Sequence, residues 1–354
     1  MMVTGDRALL VKDKVTETFE SPVSVRDIEE ASHLIHQVGR TTPLIQSMFL
    51  SRKVTNGEVY LKLENMQLTG SFKFRGSFNK INQLSSAEKK RGIITASAGN
   101  HAQGVALTAK LLGIKAAVVM PKAAPLSKQA ATKGYGAEVI LHGDNFDEAR
   151  KFMELKAVQD GLTIVDPYND PAVIAGQGTI GLEILDELWN VDTVIVPVGG
   201  GGLIAGVAIA LKSFNPSIHI VGVQSENVHG MAASVAAGQV TTQSTGSTLA
   251  DGTAVATPGS LTFPIAQHLV DEFVLVSEEE IATAMKDLMQ RTKIIAEGAG
   301  ALPTAALEAH KIDKKWLEDK KVVALVSGGN VDLAKVAKNI DHFFCQDPTG
   351  HFVG

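Results

Sequence analysis

Hydrophobic and polar positions along the chain follow two rhythms. Short apolar runs recur at VYLKLE (59–64), GIITAS (92–97), AAVVMP (116–121), AEVILH (137–142), TVIVPV (193–198), HIVGVQ (219–224) and VVALVS (322–327). Between them lie stretches with helical spacing, such as AQGVALTAKLLG (102–113), FDEARKFMELKAVQDG (146–161) and EEEIATAMKDLMQR (278–291). A parallel strand pair needs a crossover long enough to hold a helix, so this alternation predicts βαβ units and parallel sheets. The runs exceed one comfortable sheet, which predicts two open α/β domains with a boundary near residue 170. No repeat of fixed period, low-complexity tract or Pro/Ser-rich linker interrupts the pattern.

One uncharged stretch, Thr193–Leu211, approaches the length of a membrane span. Pro197 and four consecutive glycines would break such a helix, so the stretch reads as a buried strand, a tight turn and a buried helix. With 354 residues, 45% hydrophobic and 20% charged, the chain is globular rather than disordered. The net charge of −5 gives no reason to expect nucleic acid or an anionic membrane as partner. A single cysteine, Cys345, excludes an internal disulfide framework and fits a reducing compartment. The first 25 residues are mixed in charge and carry no apolar core of a secretory signal, so the expectation is a cytoplasmic protein.

Candidate chemistry follows from the strand ends. In open parallel sheets, ligands lie outside the carboxyl ends of the strands. Three of the apolar runs lead into polar or glycine-rich turns: S-A-G-N-H at 97–101, G-G-G-G-L at 199–203 and S-G-G-N at 327–330. The glycine run opens a helix after a buried strand, where backbone N–H groups and the positive helix end favour a phosphate. Gly200, Gly202 and Ala205 also satisfy the dinucleotide pattern G-x-G-x-x-G/A, with Glu226 near the position of a ribose-binding acid, so a nicotinamide enzyme is a formal competitor. No lysine-serine pair follows the glycines, which disfavours a P-loop nucleotide hydrolase. Ser97 and Asn100 suit a carboxylate at a helix start, although ordinary N-capping is the commoner use of such residues. His101 alone reads as a core or capping histidine. No metal-ligand spacing occurs, so no catalytic metal is expected. Lys73 stands between Phe72 and Phe74. It is either a surface lysine with its stem across an apolar face or an amine in a dry pocket, freed as a nucleophile by desolvation.

Taken together, S-F-K-F-R-G-S around Lys73, S-A-G-N-H, G-G-G-G-L, E-G-A-G-A (297–301) and S-G-G-N resemble the fold-type II pyridoxal-phosphate enzymes, in order from about residue 25 to 340. Within them the chain resembles the serine/threonine dehydratases, and VIAGQGTIGLEI (173–184) and GVQSENVHGMAAS (222–234) look most like the catabolic, nucleotide-activated threonine dehydratases. The resemblance implies a tryptophan-synthase-β-like architecture. It implies a large pyridoxal-phosphate-binding domain over 23–65 and 170–340, with a small α/β domain over 66–169. Residues 1–22 would be an N-terminal extension and 341–354 a tail, without the regulatory domain of the biosynthetic form.

The implied reaction is β-elimination of L-threonine to 2-oxobutanoate and ammonia, with L-serine to pyruvate as secondary activity. Lys73 is implied as the Schiff-base lysine and the base for the Cα proton, with Phe72 beside the ring. Gly199, Gly200, Gly201, Gly202 and Leu203 would hold the cofactor phosphate, Asn100 its phenolic oxygen and Ser327 its pyridine nitrogen, left unprotonated by a neutral hydroxyl. Ser97, Gly99, Asn100 and His101 would bind the substrate carboxylate. Racemases of this superfamily resemble S-S-G-N-H, whereas Ala98 cannot donate a proton, so little racemisation is expected. Gln224 stands where relatives with a divalent-cation site carry an acid. The resemblance also implies a homodimer or homotetramer and an adenosine monophosphate effector at Thr69, Gly70, Gln103 and Asn330, with Gly134 replacing a polar effector residue. Asp251 and Gly252-Thr253-Ala254 are candidates for the side-chain pocket. A serine dehydratase or racemase-type enzyme of the same superfamily is one alternative, and a non-catalytic nucleotide or amino-acid sensor on the same fold, against which Lys73 argues, is the other.

Overall fold

The computed structural model describes residues 19–243 and 246–332; Cys345 and the expected tail lie outside them. Among the described residues ten strands form two sheets. They are β1 (Leu44–Gln46), β2 (Glu58–Leu63), β3 (Ile93–Ala96), β4 (Ala116–Met120), β5 (Glu138–Leu141), β6 (Thr163–Ile164), β7 (Thr193–Pro197), β8 (His219–Ser225), β9 (Glu272–Val276) and β10 (Lys321–Val326). The larger sheet has the order β1-β2-β10-β7-β8-β9 and the smaller β5-β4-β3-β6. Every pairing is parallel except β1 with β2, where Leu44 faces Lys62 and Gln46 faces Tyr60.

The apolar runs are continuous because helices cover both faces of the larger sheet. All residues of β7 and β8 are buried. On one face the sheet packs against Gly298–Glu308, and on the other against Gly202–Phe214 and Pro171–Glu187. The stretch with membrane-like length is β7, the glycine turn and most of Gly202–Phe214, as its Pro and Gly content predicts. Among the described residues no helix is long and apolar enough to cross a membrane.

Seven strands match the apolar runs; β1, β6 and β9 have no counterpart among them. β1 and β6 have only three and two residues, too few to display a period. β9 opens on Glu272, whose carboxylate is buried against His219 Nε2 at 3.3 Å, so an apolar run is broken at its first position. The helix predicted over 278–291 is regular only over Glu278–Asp287. It widens to a π-turn at Leu288–Thr292, where the Thr292 hydroxyl donates back to the Leu288 carbonyl.

A buried ionic cluster seats the helix Lys73–Asn82 on Pro171–Glu187. Arg75 lies fully buried between two carboxylates. Its Nε and Nη2 donate to Glu64 (2.8 and 2.8 Å), and Nη1 and Nη2 donate to Glu183 (2.6 and 2.9 Å). Lys62, also buried, pairs with Glu183 at 2.8 Å and donates to the Thr42 carbonyl at 2.6 Å. Two planar forks thus fix the helix that begins with Lys73.

Candidate active site

The ends of β3, β7 and β10 open into one cavity of about 650 Å³ between the two sheets, and Lys73 lies in its wall. The Lys73 amine donates to the Pro167 carbonyl at 2.7 Å and sits 5.1 Å from the Phe72 ring centre. Burial pushes this amine down to about 8, against the pull of Asp166 and Glu297. Phe72 is tied to the end of β10, its N–H donating to the Ser327 carbonyl at 3.1 Å.

The turn after β3 forms the next wall. Gly99 is the N-cap of the helix Asn100–Leu112, and its N–H donates to Ser97 Oγ at 3.2 Å. The first-turn N–H groups that follow have no intrahelical acceptor. His101 is buried, and its Nε2–H donates to the Val165 carbonyl at 3.0 Å. Burial and the charge of Lys73 hold its imidazole down at about 4, so it is neutral at physiological pH. Asn100 Nδ2 donates to Glu297 Oε1 at 2.6 Å. Burial and the nearby Asp251 push the Glu297 carboxyl up to about 8.

The glycines after β7 form the opposite wall. A Cβ on Gly200 would lie 2.4 Å from the Tyr168 ring, and one on Gly202 would lie 2.9 Å from the Tyr168 backbone. Gly201 has φ +98° and a Cβ there would meet Met231 at 2.5 Å. Only glycines fit this turn, and it delivers the positive end of Gly202–Phe214 to the cavity. At the mouth, Lys128 bridges to Asp251 at 2.9 Å.

A family model described as "Pyridoxal-phosphate dependent enzyme" matches residues 35–328. The chain belongs to the pyridoxal-phosphate dependent enzymes. It is 68% identical over 320 residues to the L-threonine dehydratase catabolic TdcB of Staphylococcus aureus (strain N315), covering 90% of this chain and 92% of that protein. Among solved structures it resembles the processed form of threonine deaminase isoform 2 from Solanum lycopersicum, with TM-score 0.86, 37% identity and coverage of 96% and 99%. Maize serine racemase follows with TM-score 0.85, 35% identity and coverage of 93% and 99%.

The residues present fit the cofactor of such an enzyme. An anion cradle, an amine of lowered basicity and a buried serine hydroxyl at a strand end line one cavity. All the cofactor and substrate residues expected from the sequence, Phe72, Lys73, Ser97, Gly99, Asn100, His101, Gly199 to Gly202, Leu203 and Ser327, line that cavity. The effector candidates Thr69, Gly70, Gln103 and Asn330 line a second cavity of about 510 Å³. Gly134 is not among its walls; the adjacent Tyr135 is. Glu226, the ribose-binding candidate of the nicotinamide reading, pairs with Lys311 at 3.7 Å and lies outside both cavities. Gln224 is buried, its amide donating to the Val198 carbonyl and accepting from the Ala232 N–H. No three His, Cys, Asp or Glu converge as metal ligands among the described residues.

Sequence reasoning gave no role to Glu297, Pro167, Tyr168, Arg150 or Lys128, which the cavity brings in. Glu297 was visible only as the acid ahead of G-A-G-A. Asp166–Asp170 follows a two-residue strand that leaves no apolar run to mark its end.

Proposed function

We propose that this protein converts L-threonine to 2-oxobutanoate and ammonia, losing water and taking it up again, with L-serine to pyruvate as a second activity. The observation that carries the reading most is Lys73, an amine of lowered basicity in one cavity with an anion cradle and a carboxylate-binding turn. The 68% identity to a catabolic threonine dehydratase supports the same reaction.

Pyridoxal phosphate, when bound, supplies an electron sink for the pair left at the substrate Cα. The glycine turn 199–202 with Leu203 would hold its phosphate, Phe72 would lie beside its ring, Asn100 would donate to its phenolic oxygen and the Ser327 hydroxyl would meet its pyridine nitrogen, all of them residues that line the cavity. The N–H groups and hydroxyl of Ser97–His101 hold the substrate carboxylate, which fixes the Cα–H bond toward the lysine. Lys73, whose amine gives up its proton near 8 because burial disfavours the charge, takes the Cα proton in its neutral form. Ala98 offers no acid on the opposite face, so the carbon is not reprotonated there and elimination prevails over racemisation. Coupled detection of 2-oxobutanoate and pyruvate tests this directly, with Lys73→Ala as the control. Absence of both oxo acids from cofactor-loaded protein would end the proposal.

The second cavity, lined by Arg40, Gln67, Thr69, Gln103, Tyr135 and Asn330, suits a nucleotide monophosphate as effector. Threonine saturation curves that coincide with and without adenosine monophosphate would remove it. The same resemblance supports a cytoplasmic homodimer or homotetramer, and a small domain over 66–169 carried by a large one.

A further inference from the structure

Asn100 is gripped at both ends of its amide. Its Nδ2 donates to Glu297, and its Oδ1 accepts from Asn330 Nδ2 at 2.8 Å. The same Asn330 nitrogen donates to the Thr69 carbonyl at 2.7 Å. A chain of four groups, Thr69–Asn330–Asn100–Glu297, therefore crosses from the second cavity into the catalytic one.

The chain has a direction. A backbone carbonyl can only accept, so Thr69 turns the NH2 of Asn330 toward itself, and the other hydrogen of that NH2 meets the oxygen of Asn100. Reversing Asn100 would set NH2 against NH2 at one end and oxygen against oxygen at the other. Glu297 alone would not decide this, since a carboxyl near 8 can serve as donor or acceptor. The Thr69 end decides it.

The backbone is built around the chain. A Cβ on Gly328 would lie 2.5 Å from Glu297 Oε1, and one on Gly70 would lie 2.7 Å from Asn330 Oδ1. Thr69 itself, a β-branched residue, is held at φ +65°, where such residues are rarely found. These contacts keep the four groups in register.

We infer that Asn330 and Glu297 are positioning residues that lock the Asn100 amide with its NH2 toward the catalytic cavity, so that a donor and not an acceptor meets the cofactor's phenolic oxygen. The inference rests on the reading of Asn100 as the partner of that oxygen. Without the lock, the amide samples the orientation that sets its own oxygen against an anionic one.

The test is titration of apo-protein with pyridoxal phosphate. Binding is followed by absorbance and by circular dichroism in the visible band, beside thermal unfolding of each apo-protein. Asn330→Ala weakens binding about 10-fold and diminishes the dichroism, as expected for one lost hydrogen bond plus a mispaired oxygen. Glu297→Ala weakens it about 3-fold, and Glu297→Gln, which keeps an acceptor and the shape, stays within about 2-fold of the parent. If Glu297→Ala does not fold, the Asn330→Ala and Glu297→Gln pair carries the test. Variants that unfold earlier yet keep the parent's affinity and band would overturn the inference and leave these residues merely structural. A parent protein that takes up no pyridoxal phosphate would instead overturn the cofactor reading itself.

Discussion

Lys73 and Arg75 stand two residues apart on one helix, Lys73 part-buried in the cavity wall and Arg75 fully buried, and they meet opposite fates. Arg75 faces two carboxylates in side-on forks, with Lys62 bracing one of them. Burial works against its charge, but Glu64 and Glu183 more than offset this and hold the guanidinium protonated. Glu183 shows the converse. Burial pushes its carboxyl up, and Arg75 and Lys62 pull it below the usual range. Lys73 has a single carbonyl as hydrogen-bond partner, while Asp166 and Glu297 act on it only through the field. Desolvation therefore wins, and the proton is loosely held. Partners, not depth, decide whether a buried cation braces the fold or does chemistry.

The largest effect that would break this contrast is on activity. On the proposed role of Lys73 as covalent anchor and base, Lys73→Ala lowers oxo-acid formation by about 10⁴-fold or more. The variant keeps its unfolding temperature within a few degrees. Arg75→Met has the opposite profile, because it leaves the Glu64 carboxylate buried without its guanidinium and Glu183 with Lys62 but without Arg75. It costs about 3–5 kcal/mol in urea unfolding. A cost under about 1 kcal/mol would show that the cluster is not what seats the helix.

The pH dependence sharpens the comparison. The reactive form of Lys73 is the neutral amine, so reductive methylation of this residue in apo-protein, followed by mass spectrometry, is slow at low pH. Its rate rises with pH and levels off above about 8. The titratable groups acting on it are Asp166 and Glu297, with His101 neutral throughout that window, and Asp251 and Lys128 acting behind Glu297. The Glu297 carboxylate raises the basicity of Lys73, so Glu297→Gln moves the midpoint to lower pH. An upward move would contradict this.

The smallest effect lies at the mouth. Lys128 and Asp251 are half-exposed and screened, so Lys128→Asp raises KM for threonine by no more than about 5-fold, and adding Asp251→Lys restores it. High salt erases the difference.

The parts of the molecule legible in sequence are those where one residue type does one job. Buried parallel strands such as β7 and β10 write themselves as unbroken apolar runs, and glycine marks the turn where Tyr168 leaves room for nothing larger. Residues at strand ends were found because sheet geometry puts ligands there. Glu297 and Tyr168 were not, because they reach the cavity from a helix cap and from a turn after a two-residue strand. In the sequence Arg75 is only a neighbour of Lys73; its partners are Glu64 and Glu183, and a separation of 108 residues from the latter leaves no local trace.

Asn330 lines both cavities, so at that point the partition between them is one side chain thick. A small molecule lodged on the far side and drawing on that amide would alter the colour of the loaded enzyme without entering the chamber where substrate is held. The visible spectrum could then serve as an optical screen for compounds that act from behind the wall.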